Sequence, residues 1–115
     1  MNKSTMIINH LSTDRLTEII INESKYIVFT LMHRNLIVID VTNKDNPILL
    51  LNRNFPNRNS LSNEFDKIII NASKISNEED FISSLDTYID LNEVCNKTTD
   101  ELLSIYKIIT EDYNL

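Results

Sequence analysis

Residues 26–52, which read YIVFTLMHRNLIVIDVTNKDNPILLLN, decide the fold class of this chain. Residues 26–32 and 36–42 are rich in β-branched and aromatic side chains, and a short polar segment separates them, which is the pattern of a β-hairpin. We expect Asn35 to adopt the left-handed conformation in this turn, because asparagine tolerates it better than most other residues. A second polar turn leads into a third antiparallel strand over residues 48–52. The near-continuous apolar runs indicate that both faces of the middle strand are covered.

Apolar residues after this sheet recur at helical spacing and predict three helices, over residues 60–74, 77–91 and 99–112. The run 68–70 would also suit a strand. The side chains expected to face the core are Leu61, Phe65, Ile68, Ile69 and Ala72 in the first helix, Phe81, Leu85, Tyr88 and Ile89 in the second, and Leu102, Tyr106 and Ile109 in the third.

The residues before the hairpin are compatible with two structures. We expect a short strand over residues 5–10 and then a helix over 13–23, since Leu16, Ile19 and Ile20 lie at helical spacing. The same β-branched isoleucines would also suit a strand. The sequence therefore predicts a single α+β domain over residues 1–115, with an antiparallel meander of about three to four strands and three to four helices packed mainly on one face.

Composition excludes several classes of site. The 115 residues contain no glycine, so the phosphate-binding P-loop, the dinucleotide-binding turn, the G-x-S-x-G nucleophile elbow and the standard EF-hand loop are all missing. Asparagine and isoleucine, both encoded by AT-rich codons, are abundant. This bias points to an AT-rich source such as a phage, a virus, a mobile element or a low-GC bacterium.

The charge is uneven along the chain. The net charge is −6, and counting gives +2 (seven basic, five acidic) for residues 1–60 and −8 (four basic, twelve acidic) for residues 61–115. A strongly acidic half repels nucleic acid and attracts basic partners. No apolar stretch suits a signal peptide or a membrane span, and the single Cys95 fits a reducing compartment. We therefore expect a cytoplasmic protein that binds neither nucleic acid nor membrane.

The sequence contains no recognisable catalytic or metal-binding motif. The two histidines, His10 and His33, lie far apart from each other and from Cys95, and none of the three has metal-ligand spacing. A nucleophilic pair of Cys95 with either histidine would need the fold to bring them together. We predict no enzyme activity, no catalytic residues, no metal and no cofactor.

Acidic residues over 78–101 are partly explained by helix starts. Glu79 and Glu101 are expected to form capping boxes with Ser76 and Thr98, and the carboxylates beside them favour the positive end of a helix dipole. The remaining acidic residues, at i, i+4 and i+7 on the outer face of the predicted helix, are a solvated face, a docking surface for a basic protein or an oxygen-ligand metal site. The residues we predict to bind a partner are Asp86, Asp90 and Glu93, with Glu78 and Asp80 on the flank.

The sequence is compatible with two further binding modes. Arg53 and Arg58 flank Phe55, an arrangement that can stack a nucleotide base, although two arginines do not make a basic groove. The apolar strands over 26–32 and 36–42 would pair with a second copy of the chain if one of them lay at a sheet edge. A homodimer through the sheet edge is therefore a further possibility.

These features favour a protein that acts by occluding another protein. Our hypothesis is an immunity protein or antitoxin that neutralises a toxin, such as a nuclease, because enzymes acting on nucleic acid have basic clefts that an acidic surface can fill. The alternatives are a homo-oligomeric assembly protein of a virus or mobile element, and a phage inhibitor of a host nucleic-acid enzyme.

Overall fold

A single antiparallel sheet forms the centre of the protein. In the computed structural model, residues 5–11 and 14–113 are described, with side chains described for 15–111. The strands follow one another in the sheet in chain order. They are β1 (Thr5–Leu11), β2 (Asp14–Ile21), β3 (Ser24–Leu31), β4 (Asn35–Asp40), β5 (Ile48–Asn54) and the two-residue β6 (Glu93–Val94). The first five form an antiparallel meander, which confirms the α+β class.

The helices are α1 (Arg58–Ala72), α2 (Glu78–Ser84), α3 (Asp86–Leu91) and α4 (Thr99–Tyr113). The predicted helices over 60–74 and 99–112 are confirmed as α1 and α4. None of the helices within the described residues is long and apolar enough to cross a membrane. The Cα radius of gyration is 13.1 Å, close to the ~13 Å expected for a closely packed chain of this length.

The helix predicted over residues 13–23 is wrong, because Asp14–Ile21 is strand β2. Its side chains alternate between two covered faces: Ile19 and Ile21 belong to one apolar cluster, and Leu16 belongs to the other. In a strand covered on both faces, apolar residues do not alternate strictly with polar ones. Such a run can therefore also match the i, i+3, i+4 spacing of a helix. This extra strand extends the meander toward the N-terminus, where β1 pairs with β2.

The β3–β4 turn differs from the prediction in its left-handed residues. Met32 and His33 have φ values of 55° and 58°, whereas Asn35 is the first residue of β4 and is buried. The Asn54 amide donates a 2.9 Å hydrogen bond to the Asn35 side-chain oxygen across the sheet. The Asn35 side chain is therefore engaged in a buried hydrogen bond. Because the chain has no glycine, Met32 and His33 adopt the left-handed conformation, which is strained for other residues.

The sheet is covered on both faces. α1, α2 and α3 pack on one face, where the Phe81 ring of α2 lies 4.6 Å from the Tyr26 ring of β3. α4 packs on the other face through Leu102, Tyr106 and Ile109, as its apolar spacing predicts. Most of the helices thus lie on one face, as expected, and α4 provides the cover for the second face of the middle strands.

Candidate functional site

The three central residues of the predicted partner-binding set lie on α3 and β6, and the two flanking ones lie on α2. Asp86 begins α3, Asp90 follows one turn later, and Glu93 is the first residue of β6; all three are exposed. The three ion pairs among the side chains described join Arg15 to Asp66, Lys25 to Glu18 and Lys67 to Glu64. Asp86, Asp90 and Glu93 take part in none of these pairs, so their charge faces solvent.

A kink at Leu85 separates α2 from α3, so the single helix predicted over 77–91 is in fact two. The Leu85 amide bonds to the Ile82 carbonyl, and the Tyr88 amide bonds to the Leu85 carbonyl, which are the i→i−3 contacts of a tightened turn. Leu85 itself is buried, and Phe81 and Tyr88 face the sheet as predicted. Ile89, expected in the same buried stripe, is instead 41% exposed.

Glu78 and Asp80 each make a contact within the protein. The Asn22 amide, in the β2–β3 turn, donates to the Glu78 carboxylate and ties the start of α2 to the sheet. The Asp80 amide donates to the Asn77 side-chain oxygen at 2.9 Å, and the Asn77 amide donates back to the Asp80 carboxylate at 3.0 Å. These two acidic residues therefore stabilise the position of α2, whatever further role they have at its flank.

The capping box expected at Ser76 and Glu79 is displaced by one residue. Asn77, with extended backbone angles, is the N-cap of α2, and Asp80 is its partner. Asparagine caps helices as well as serine does, so the sequence allows either register. The box of Thr98 with Glu101 is confirmed by reciprocal bonds of 3.0 and 3.1 Å. Hydrogen bonding from the Thr98 backbone amide, and then from the Thr98 side chain, to the Glu101 carboxylate lowers the pKa of Glu101.

Exposed apolar side chains surround the acidic residues, and the helical spacing alone does not reveal them. Eight large hydrophobic side chains are exposed among the residues described, and half of them lie between positions 82 and 94. Leu91 is 78% exposed and Val94 60% exposed, at the end of α3 and in β6. In the sequence, the exposure of Leu91 and Val94 is indicated only by their position just beyond the apolar stripe of the helix. We call the residues Asp86, Ile89, Asp90, Leu91, Glu93 and Val94 the α3–β6 surface.

The α3–β6 surface is anchored to the sheet from behind. Tyr88 of α3 packs against Phe55, with ring centroids 6.0 Å apart. Burial, together with the Glu64 carboxylate, raises the pKa of Tyr88 to about 12. β6 pairs with the end of β5, where Val94 lies opposite Arg53. Packing and backbone hydrogen bonds thus fix both parts of the surface.

Base stacking on Phe55 is excluded in this structure. Phe55 is 3% exposed and belongs to the core beneath α1 and α3. The backbone carbonyl of Phe55 accepts a 2.8 Å bond from the Arg34 guanidinium, which fixes this corner further. The aromatic ring between Arg53 and Arg58 is therefore not available to a nucleotide base.

The structure does not bring Cys95 and His33 together. Cys95 is buried in the cluster beneath α4, whereas His33 lines a cavity beside α1, on the opposite face of the sheet. The His10 side chain lies outside the described residues. Within residues 15–111, no group of three or more histidine, cysteine, aspartate or glutamate side chains is placed to hold a metal ion.

The two apolar strands of the predicted hairpin are not at an edge. β3 and β4 lie inside the sheet and are paired on both sides. β1 forms one edge, and β5 is covered on its outer side by β6 only at Arg53 and Asn54. Pairing with a second copy is therefore open to β1 and to the first part of β5.

The chain matches no protein-family model, no curated protein and no solved structure, so its function has to be inferred from its own residues.

Proposed function

We propose that this protein is an immunity protein or antitoxin that acts in the cytoplasm by binding a basic toxin and blocking its active site. The contact surface is the α3–β6 surface, with Glu78 and Asp80 of α2 on its flank. A toxic nuclease is the partner class that this chemistry suits best, since its substrate-binding cleft is positively charged.

The observation that carries the proposal is the mixture of charges and apolar groups at one place. Exposed charges alone describe any solvated helix, but Leu91 and Val94 are 78% and 60% exposed beside Asp90 and Glu93. Protein interfaces typically combine a central apolar patch with a polar rim. This mixture favours a docking surface over a solvated face.

The two kinds of group have different roles in the proposed complex. The carboxylates of Asp86, Asp90 and Glu93 attract a basic partner from a distance and raise the association rate, an effect that salt weakens. Leu91 and Val94 are the side chains that bury apolar area once the partner has docked, and so they slow dissociation. An inhibitor of this kind needs a preformed surface, which the packing of Tyr88 on Phe55 supports.

The proposal is tested by capture of the partner and by inhibition of its activity. The tagged protein is used as bait in a lysate of the cells that encode it, in parallel with Asp86→Lys/Asp90→Lys/Glu93→Lys. We expect the wild-type bait alone to retain a basic protein and to abolish that protein's nuclease or other toxic activity at equimolar ratio. A captured protein whose activity is unchanged, or one bound equally by both baits, would contradict the proposal. A captured host enzyme in place of a toxin would assign the same surface to a phage inhibitor.

A homo-oligomeric assembly protein is the second candidate, and one observation favours it. The outer side of β5 is covered by β6 only at its last two residues, and Ile48 at its start is 51% exposed. An open strand edge of this kind can pair with another copy. Light scattering distinguishes the candidates: a mass of 13.4 kDa supports the inhibitor, and a concentration-independent multiple supports assembly.

A further inference from the structure

All four arginines of the chain are brought to one end of the sheet. Arg15 is at the start of β2, Arg34 in the β3–β4 turn, Arg53 near the end of β5, and Arg58 at the start of α1. The antiparallel register explains this, because the end of β3 meets the start of β2 and the start of β4 meets the end of β5. A protein of net charge −6 thus has a local concentration of positive charge at this end of the sheet.

A cavity of about 80 Å³ opens at this end of the sheet. Its lining residues are Arg15, Thr30, His33, Arg58, Leu61 and Ser62. Two guanidinium groups, an imidazole and two hydroxyls are the side chains that bind oxyanions by charge-assisted hydrogen bonds. Among the side chains described, none of those lining the cavity is a carboxylate.

Arg15 is held in place beside this cavity. Its Nη1 atom lies 2.6 Å from the Asp66 carboxylate, and its guanidinium stacks 5.5 Å from the centre of the Phe65 ring. A guanidinium has five N–H donors, so this single contact leaves donors for a ligand. The ion pair with Asp66 neutralises part of the Arg15 charge, so Arg15 attracts an anion less strongly than an unpaired arginine would. Arg58 has no such described ion pair, and it is therefore the main cation of the cavity.

The start of α1 contributes to the same wall. Arg58, Leu61 and Ser62 belong to its first turns, and the first turn contains no acidic residue. The N-terminus of a 15-residue helix has a partial positive charge that adds to the attraction for an anion. The cavity therefore combines side-chain hydrogen-bond donors with the helix dipole, whereas a helix terminus alone would provide only the dipole and its backbone amides.

We propose that this cavity binds one phosphoryl group of a small phosphate monoester. Its volume is well below the ~300–1,000 Å³ of pockets for drug-sized ligands, so only a group of a few atoms enters it. A dianion uses two guanidinium groups better than a monoanion does. The net charge of −6 opposes a polyanion, which argues for a single phosphate and against a nucleic-acid strand.

This site is separate from the proposed inhibitory function. None of its lining residues belongs to the α3–β6 surface, so a failure of one proposal leaves the other standing. Arg58 is exposed, so its replacement leaves the core intact and tests binding without unfolding the protein.

The test is a titration with inorganic phosphate, followed through backbone amide NMR shifts while sodium chloride keeps the ionic strength constant. We expect saturable shifts at Arg15, Arg58 and Ser62 with a millimolar Kd. Arg58→Ala should weaken binding about tenfold, and Arg58→Lys should weaken it less because the charge remains. Lys107→Ala on α4 removes the same charge from an exposed position elsewhere and should leave Kd unchanged.

Two further ligands identify the source of the phosphate. Tighter binding of ribose 5-phosphate than of inorganic phosphate indicates a metabolite, and tighter binding of O-phosphoserine indicates a phosphorylated protein side chain. Either outcome supports the site. The proposal is overturned if the shifts do not saturate, if Arg58→Ala and Lys107→Ala behave alike, or if a single-stranded oligonucleotide binds more tightly than the monoesters per phosphate.

Discussion

Replacing Lys25 with methionine should destabilise the protein by far more than the loss of an ordinary surface lysine. The Lys25 ammonium lies 3.1 Å from the Glu18 carboxylate. Glu18 points to the face of the sheet that α4 covers, where burial of the Tyr106 phenol and then the nearby Glu18 charge raise the pKa of Tyr106. Without Lys25, a carboxylate that is only 7% exposed would lose the one cation that pairs with it among the side chains described.

The magnitude follows from the exposure of the two side chains. Exposed ion pairs contribute about 0–1 kcal/mol, whereas breaking a fully buried pair costs about 3–5 kcal/mol. Glu18 is buried but the Lys25 side chain is 36% exposed, so the pair lies between these limits. We expect Lys25→Met to lower the free energy of unfolding by about 2 kcal/mol.

Urea unfolding followed by far-ultraviolet circular dichroism measures this loss. In a double-mutant cycle with Glu18→Gln, we expect a coupling energy of about 1–2 kcal/mol. Lys67→Met is the matched control, because its pair with Glu64 is more exposed, at 65% and 27%, and longer, at 3.5 Å; it should cost under about 0.5 kcal/mol. Equal losses for both lysines, or a coupling energy near zero, would show that the Lys25–Glu18 pair contributes no more than an exposed pair.

Three other predictions concern a cap, a strained turn and a buried phenol. Asn77→Ala should cost about 1 kcal/mol in urea unfolding and Ser76→Ala under about 0.5 kcal/mol, since Asn77 is the N-cap; the reverse order would restore Ser76 as the cap. Met32→Gly should stabilise the protein by about 0.5 kcal/mol, because glycine relieves the φ of 55° and this side chain is 70% exposed. Folding raises the pKa of Tyr88 from 10.0 to about 12, so the unfolded chain loses the phenol proton at a lower pH than the folded protein does. The contribution of Tyr88 to the free energy of unfolding is therefore complete below pH 10 and is lost toward pH 12. The slope of this loss is about 1.4 kcal/mol per pH unit. Tyr88→Phe should flatten that decline in unfolding experiments between pH 9 and 11, and an unchanged slope would contradict the raised pKa.

Local patterns in the sequence predict the later elements of the fold well. α1 and α4 each have one apolar stripe and one polar face, so their spacing identifies both the helix and its buried side. β3 and β4 contain the continuous apolar runs 26–29 and 36–39 because they are covered on both faces. β2 is also covered on both faces, and for this reason it was predicted as a helix. Leu16, Ile19 and Ile20 fit the spacing of a helix as well as the composition of a strand.

The candidate site could be predicted only in part. Asp86 and Asp90 lie four residues apart on the polar side of a helix, so their exposure follows from periodicity. The exposure of Ile89 depends on the kink at Leu85, and that of Val94 on the pairing of β6 with β5; both are tertiary features. The basic cavity was missed for the same reason, because Arg15, His33 and Arg58 come from three separate segments.

Binding of a basic protein by the α3–β6 surface can be tested with two variants of equal net charge. Asp86→Lys/Asp90→Lys/Glu93→Lys and Glu23→Lys/Asp45→Lys/Glu111→Lys each change three exposed residues. Each raises the net charge from −6 by six, so any difference between them reports the location of the charge and not its amount.

Calorimetric titration of the captured partner against the wild type and both variants provides the measurement. We expect the α3–β6 variant to raise Kd about 100-fold, since three charge pairs become repulsive, and the control variant to change Kd less than about threefold. Equal losses of affinity in the two variants, or a larger loss in the control, would contradict the claim.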